Sequence, residues 1–214
     1  MSRGKRIFCE KQQGTGVSLP GSHAKYMLAY ADSTILLPDA IAYEQAATIF
    51  CSGYTVYSGL RTANPKPHER IAVVGIGGLG HLGIQYSKVA GFYTIAITHS
   101  KDKEESIYKL GADQVISSGK ELGTIGGADV ILVTGSSYKP AIEAFRGLRP
   151  EGRWVLMGIS NEKLTIPSFS LAFYRQQIIG SQQNSLDYLY EALDYVAKGK
   201  VKVITALLRN YDFR

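Results

Sequence analysis

The sequence predicts an α/β fold organised on a doubly wound parallel sheet, and three features predict it. A β-branched run enters a glycine cluster, and an apolar helical pattern leaves it, in Ile71-Ala-Val-Val-Gly-Ile-Gly-Gly-Leu-Gly-His81. Strand-like and helix-like segments then alternate, with short connections, as far as Gly199, the pattern of right-handed crossovers between parallel strands. Asp129–Thr134 is a continuous apolar strand, as expected of one covered on both faces. The strand order expected of such a chain is 3-2-1-4-5-6.

The stretch before this pattern differs. Gln12–Pro38 is rich in glycine and serine, with short β-leaning runs at Ala24–Ala29 and Thr34–Leu37 and no helical period. It reads as a piece of β structure. From Tyr43 to about Leu60 the pattern turns helical, broken at Cys51-Ser-Gly53. The boundary is therefore expected near Pro38–Tyr43, with residues 1–42 and 43–214 as separate units. Within the second unit, Ile71–Ile76 is a strand and Leu79 to about Ala90 a helix stopped by Gly91. Thr94–Thr98 is the next strand, and Lys101–Leu110 a charged helix ended by Gly111. Gln114–Ile116 is short and extended. Pro140–Leu148 is a helix with proline in its first turn. Arg153–Met157 follows a turn at Pro150-Glu-Gly152, and Gln177–Gly180 is a further strand. Ser185–Gly199 is a helix with a serine N-cap, Asp187 in its first turn and a glycine stop.

Composition sets bounds on function. The chain has 214 residues, 45% of them hydrophobic and 20% charged, ordinary values for a globular protein. No apolar run approaches the roughly 18 residues that span a bilayer. The N-terminus lacks the apolar core and cleavage pattern of a secretory signal. A cytoplasmic protein without a membrane partner is expected. The net charge is +6, but the basic residues are scattered, so no nucleic-acid partner is expected. The two cysteines, Cys9 and Cys51, are too few for a disulfide framework or a self-contained zinc finger.

Gly75, Gly77 and Gly80 occupy the G-x-G-x-x-G positions of a dinucleotide-binding turn. The first would allow the sharp turn, the second would let backbone approach a pyrophosphate, and the third would let helix pack on strand. With Gly78 and Leu79 they present backbone N–H groups at a helix N-terminus, where the dipole favours an anion. A glycine-rich strand–helix turn can also be purely structural. Coenzyme choice is read where the second strand ends. Thr98, His99, Ser100, Lys101 and Lys103 stand there, and the first carboxylate, Asp102, already lies on the helix. Hydroxyls and lysines suit the 2′-phosphate of NADP through charge-assisted hydrogen bonds, with NAD as the alternative. The same residues would equally form a solvated loop capped by Ser100. Thr134-Gly135, Gly158-Ile159 and Ser181 close the fourth, fifth and sixth strands, where open sheets bind their ligands. Each also serves as an ordinary turn residue.

The chain resembles the zinc-type, medium-chain alcohol dehydrogenases, in their cinnamyl-alcohol-dehydrogenase-like branch. The resemblance rests on Gly21-Ser-His-Ala-Lys-Tyr26 before Leu37-Pro-Asp39, Glu44-Gln-Ala-Ala47, Cys51-Ser-Gly-Tyr-Thr-Val-Tyr57 and the glycine turn ending in His81. Lys109-Leu-Gly-Ala-Asp113, Gly152-Arg-Trp-Val-Leu-Met-Gly158 and Glu191-Ala-Leu-Asp-Tyr-Val-Ala197 extend it along almost the whole chain. It implies a Rossmann domain preceded by a remnant of a β-rich, GroES-like catalytic domain. It also implies hydride transfer between NADP(H) and a primary alcohol or aldehyde. Under it Cys51 matches the third ligand of a catalytic zinc, Thr55 a position beside the nicotinamide, and Gly158-Ile159 backbone groups that hold the carboxamide. His81 matches a Gly-His that can touch the pyrophosphate, while His23 and His68 read as surface residues.

The family's other zinc ligands, its four-cysteine structural lobe and its usual C-terminal return are not found. A truncated, catalytically incomplete member is expected, binding coenzyme with little turnover and with zinc absent. Read without the resemblance, Cys51 is a small buried thiol at a helix bend. A non-catalytic nucleotide-binding module and a zinc-independent quinone-reductase-like enzyme are the competing readings. A homodimer is expected by analogy, through the uncharged edge segment Gln177-Ile-Ile-Gly-Ser-Gln-Gln183.

Overall fold

The computed structural model describes residues 9–205. The expectations for the N-terminal leader and for Ala206–Arg214 fall outside those residues. The chain divides into two compact units between Asp39 and Ala40.

In the first unit the described residues form turns rather than strands. A tight turn places the Ser18 hydroxyl on the Gly14 amide at 2.9 Å, beside an isolated bridge between Thr15 and Leu19. A single 3₁₀ turn spans Ala31–Ser33, closed by the Thr34 hydroxyl on the Ala31 carbonyl at 2.8 Å. The β runs expected at 24–29 and 34–37 are not strands. Their composition is strand-like, but a strand needs a hydrogen-bonding neighbour and a face to bury. Tyr26, Leu28 and Leu36 are each at least 90% exposed.

The second unit is the predicted doubly wound sheet. Six strands lie in it: β1 Arg70–Val74, β2 Tyr93–Ile97, β3 Gln114–Ile116, β4 Ala128–Val133, β5 Leu148–Leu156 and β6 Gln177–Gly180. Their order is β3-β2-β1-β4-β5-β6, and every pairing is parallel. The helices are α1 Tyr43–Thr48, α2 Tyr54–Ala63, α3 Gly80–Val89, α4 Glu104–Lys109, α5 Lys139–Phe145, α6 Ser168–Phe173 and α7 Leu186–Ala197.

Strand alternation sorts the core into two layers. Ala72, Val74, Ile95, Ile97, Ile131, Val133 and Trp154 share one cluster with Ala141, Ala144 and Phe145 of α5. Trp154 is fully buried there; its indole N–H donates to the Ala141 carbonyl at 3.2 Å, and its ring meets Phe145 edge to face. The opposite face carries Ile71, Val73, Val130, Leu132 and Val155 under α2 and α3, and α7 packs against α2. Helix α3 is buried continuously from Gly80 to Ser87, so it lies between the sheet and other chain. Tyr57, Tyr86, Tyr188 and Tyr195 interlock across α2, α3 and α7. The tyrosines at 188 and 195 are thus packing residues.

Three boundaries depart from the sequence reading. The helix expected over Pro140–Leu148 ends at Phe145, and Leu148 already pairs with Ala128. The turn at Pro150-Glu-Gly152 lies inside β5, because Val130 next pairs with Arg153 and residues 149–152 loop out. Its left-handed residue is Glu151 (φ 59°) rather than Gly152. Lys101–Leu110 starts as a 3₁₀ turn over Lys101–Lys103 before α4. Ser185 caps α7 as expected, its hydroxyl accepting the Asp187 amide at 3.3 Å, and Gly199 takes the left-handed stop at φ 67°.

Candidate functional site

The candidate site lies at the carboxyl ends of β1, β4 and β5, where the strand order reverses between β1 and β4. Steric demands there are specific. Gly75 sits at φ +91°, and a Cβ on it would stand 2.8 Å from the Gly135 Cα. A Cβ on Gly80 would fall 2.1 Å from the Gly75 carbonyl oxygen, and one on Gly158 1.9 Å from that of Gly135. These glycines let three strand ends and the start of α3 touch backbone to backbone. Gly77 is the opposite case: it is exposed, and a Cβ on it would meet nothing within 4 Å.

The space beside Gly77 faces the start of α3. No side chain caps that helix; the His81 and Leu82 amides turn back onto the Gly77 and Leu79 carbonyls at 3.1 and 3.2 Å, so the amides that a ligand could reach are those just before them, at the turn. Gly77 and Gly78 are exposed and Leu79 is half-buried. The turn is held from beneath. The Thr134 hydroxyl lies 2.9 Å from the Val74 carbonyl and 2.6 Å from the Gly75 carbonyl, and the Gly75 amide donates to Ile97 at 3.2 Å. The Thr134 side chain thus staples β4 to β1. The Gly158 amide donates to Val133 at 3.0 Å, while Ile159 beyond it is 84% exposed.

At the end of β2 the Thr98 hydroxyl accepts the Ser100 amide at 3.2 Å, fixing the loop that carries exposed His99. Lys103 is exposed one turn later. No carboxylate stands between Ile97 and Lys101. At the end of β6 the Ser181 hydroxyl accepts from Asn184, which also donates to Thr62 at 2.6 Å, and Gln183 donates to the Phe50 carbonyl at 3.1 Å. These bonds tie the loop after β6 to α2 and to the segment that carries Cys51.

Cys51 lies in a π-helical segment, Ile49–Gly53, between α1 and α2. It is exposed, which corrects the reading of a buried thiol. The wider π turn relieves the helix at this break and rotates the residue outward. Thr55, half-buried, follows on α2. A catalytic zinc needs three converging protein ligands. Among the described residues no group of three or more histidines, cysteines or acidic residues could hold a metal ion. Those residues do not fit a zinc site. The glycine turn does fit a dinucleotide's diphosphate, having open space, uncapped amides and a helix dipole at one point.

Sequence reasoning missed two residues here, Ser52 and Tyr138. The Ser52 hydroxyl faces the turn, 3.6 Å from where a Cβ on Gly78 would lie. The Tyr138 hydroxyl donates to the Gly158 carbonyl at 3.0 Å. His81 is buried, with its Nδ1 3.1 Å from the Gly77 carbonyl, and burial lowers its pKa from the ordinary 6.5. Its place directly after the glycine motif is what singled it out in the sequence; Ser52 and Tyr138 became near neighbours only through tertiary packing.

A polar cavity of about 420 Å³ opens at the other end of the strands, lined by Glu69, Asp129, Glu151, Arg153 and Arg175 among others. Most of its charges are paired: Arg153 with Glu69, Arg149 with Asp129 at 3.1 Å and Arg175 with Glu151 at 3.0 Å.

A family model described as zinc-binding dehydrogenase matches residues 78–198. An alcohol dehydrogenase of Geobacillus stearothermophilus is 37% identical over 207 residues, 94% of this chain and 61% of the relative. Cinnamyl alcohol dehydrogenase 7 of Arabidopsis thaliana is 31% identical over 186 residues, 85% of this chain and 52% of its own length. The solved alcohol dehydrogenase of the archaeon Aeropyrum pernix superposes with a TM-score of 0.81 at 26% identity, over 92% of this chain and 61% of that one. The chain therefore spans between half and two thirds of these relatives. Over that span fold and sequence agree, and the chain belongs to the zinc-binding dehydrogenase family.

Proposed function

We propose that the turn from Gly75 to Gly80 binds the diphosphate of a nicotinamide dinucleotide, and that the chain is the coenzyme-binding part of an oxidoreductase. The observation that carries this is the pairing of an open Gly77 with an uncapped, buried α3. The relatives named as alcohol dehydrogenases support a primary alcohol or aldehyde as substrate. The coenzyme, when bound, supplies the hydride carrier. The residues at the end of β2 favour NADP(H) over NAD(H): Thr98, Ser100, His99 and Lys103 offer donors and charge, with no carboxylate to repel a phosphate. Gly78 and Leu79 add amides to the diphosphate site. Thr134, Gly135, Gly158, Ile159 and Ser181 border the rest of the dinucleotide, and Thr55 approaches the nicotinamide.

Cys51 occupies the metal-ligand position of the family. The described residues offer it no group of three or more histidine, cysteine or acidic ligands; in this reading the chain alone binds coenzyme and turns over little or no alcohol. Residues 1–42 are a GroES-like remnant in this reading and residues 43–214 the Rossmann domain. The edge of β6, which has a neighbour on one side only, pairs two copies in a homodimer. The protein is read as cytoplasmic, with no nucleic-acid or membrane partner; no described helix is long and apolar enough to cross a membrane.

Fluorescence titrations with NADPH and NADH, run beside metal analysis and alcohol-oxidation assays, test this. Tighter binding of NADPH, with metal far below one equivalent and no alcohol oxidation, is the expected result. Tighter NADH binding would reverse the coenzyme assignment. Chelator-sensitive alcohol oxidation would overturn the incompleteness, and NADPH-dependent quinone reduction would favour the zinc-independent enzyme.

A further inference from the structure

Helix α3 carries a side-chain device on its buried first turns. His81 and Gln85 stand one turn apart and face the segment Val201–Ile204. Gln85 makes a two-way clamp, its Nε2 donating to the Lys202 carbonyl at 2.8 Å and its Oε1 accepting the Lys202 amide at 2.7 Å. Two residues on, the Ile204 amide donates to His81 Nε2 at 3.4 Å. The helix rises about 6 Å over four residues and an extended chain about 6.6 Å over two, so both contacts fit one straight segment.

These bonds determine the imidazole's protonation. An amide N–H can only donate, so Nε2 must be bare; a carbonyl can only accept, so Nδ1 must carry the proton that points at the Gly77 oxygen. That oxygen also accepts the His81 amide at 3.1 Å, which fills both its lone pairs. The peptide between Gly77 and Gly78 is trans, so its N–H points opposite to its C=O. Fixing the Gly77 carbonyl toward α3 therefore aims the Gly78 N–H outward, into the exposed turn.

We propose that His81, held as its neutral Nδ1–H tautomer by the Ile204 amide, is the positioning residue that orients the Gly78 amide for the coenzyme's diphosphate. The role rests on the coenzyme reading above, and it makes the turn's readiness depend on a segment 123 residues further along the chain.

Two substitutions separate the two ring nitrogens. In His81→Asn the side-chain amide can take the place of Nδ1 and donate to Gly77, but it cannot reach Ile204. In His81→Gln the longer amide can take the place of Nε2 and leaves Gly77 without its second donor. NADPH dissociation constants and the exchange rate of the Ile204 amide are measured on the full chain and both variants. Nitrogen-15 spectra of the native imidazole report its tautomer independently of coenzyme. The expected result is a Nδ1–H tautomer, near-native affinity in His81→Asn with fast exchange at Ile204, and about fivefold weaker binding in His81→Gln, the worth of one net hydrogen bond. A general packing loss would weaken both variants alike, so equal affinities overturn the positioning role, as would an Nε2–H tautomer in the native protein should either variant fail to fold. A native chain that shows the Nδ1–H tautomer but binds no coenzyme refutes the coenzyme reading and the positioning role with it. A native chain that binds, with the variants indistinguishable, refutes the positioning role alone.

Discussion

The two ends of the parallel sheet treat polarity in opposite ways. At the amino ends charges neutralise one another: Arg153 and Glu69 form a two-pronged pair, both largely buried, and Asp129 accepts from Arg149 and from the Arg70 amide at 2.7 Å. At the carboxyl ends there is no such closure. Glycines bring backbone against backbone, and the first amides of α3 are left without a side-chain cap. Both arrangements cost desolvation, but only the first recovers it within the chain. On the proposed reading one end serves stability and the other an incoming anion, and substitutions can separate the two.

The largest effect is expected at the amino end. Glu69→Ala leaves a buried guanidinium without its partner and should cost about 3–5 kcal/mol in urea denaturation. The double substitution Glu69→Met with Arg153→Met should recover most of that, because the desolvation of both charges disappears together. Neither should alter coenzyme affinity wherever the protein is folded.

At the carboxyl end Gly80→Ala should come next. Its Cβ has no room against the Gly75 carbonyl, and forced overpacking of this kind costs about 1–3 kcal/mol. Both the denaturation midpoint and the NADPH dissociation constant should suffer. Gly77→Ala sharpens the contrast. Its Cβ meets open space, so stability should change by no more than about 0.5 kcal/mol, while coenzyme affinity should fall measurably because the methyl group occupies the approach of the diphosphate. Equal stability losses in these two variants would remove the distinction between the packing glycine and the binding glycine.

How legible this was in the sequence follows from range. The order of six strands and the packing roles of Gly75 and Gly80 could be read locally, because periodicity and turn chemistry act over a few residues. The β-leaning runs at 24–29 and 34–37 misled because strand propensity reports only half of a pairing. Cys51 was misplaced as buried because a π turn shifts the helical face by a fraction of a turn, which no 3.6-residue period anticipates. Tyr138, Ser52 and the clamp at His81 and Gln85 depend on contacts across 20 to 123 residues, and a single sequence carries no trace of them.

The smallest expected effect is that of pH. His81 has a folded pKa below its ordinary 6.5 because it is buried, so the unfolded chain binds the proton first. Stability should then be unaffected by this group above 6.5 and should decline as pH falls from there toward the depressed value. Urea midpoints at stepped pH should show that decline, and His81→Asn should flatten its share of it. A decline that persists unchanged in the variant would assign it to other groups.

Isothermal titration calorimetry of the native 214-residue chain with NADPH tests the central claim most directly. Saturable heat at one coenzyme per chain is expected, weakened by Gly77→Ala in a protein that melts as the native one does. A folded chain that gives no heat with NADPH or NADH, or a Gly77→Ala variant that binds as tightly as the native protein, would contradict it.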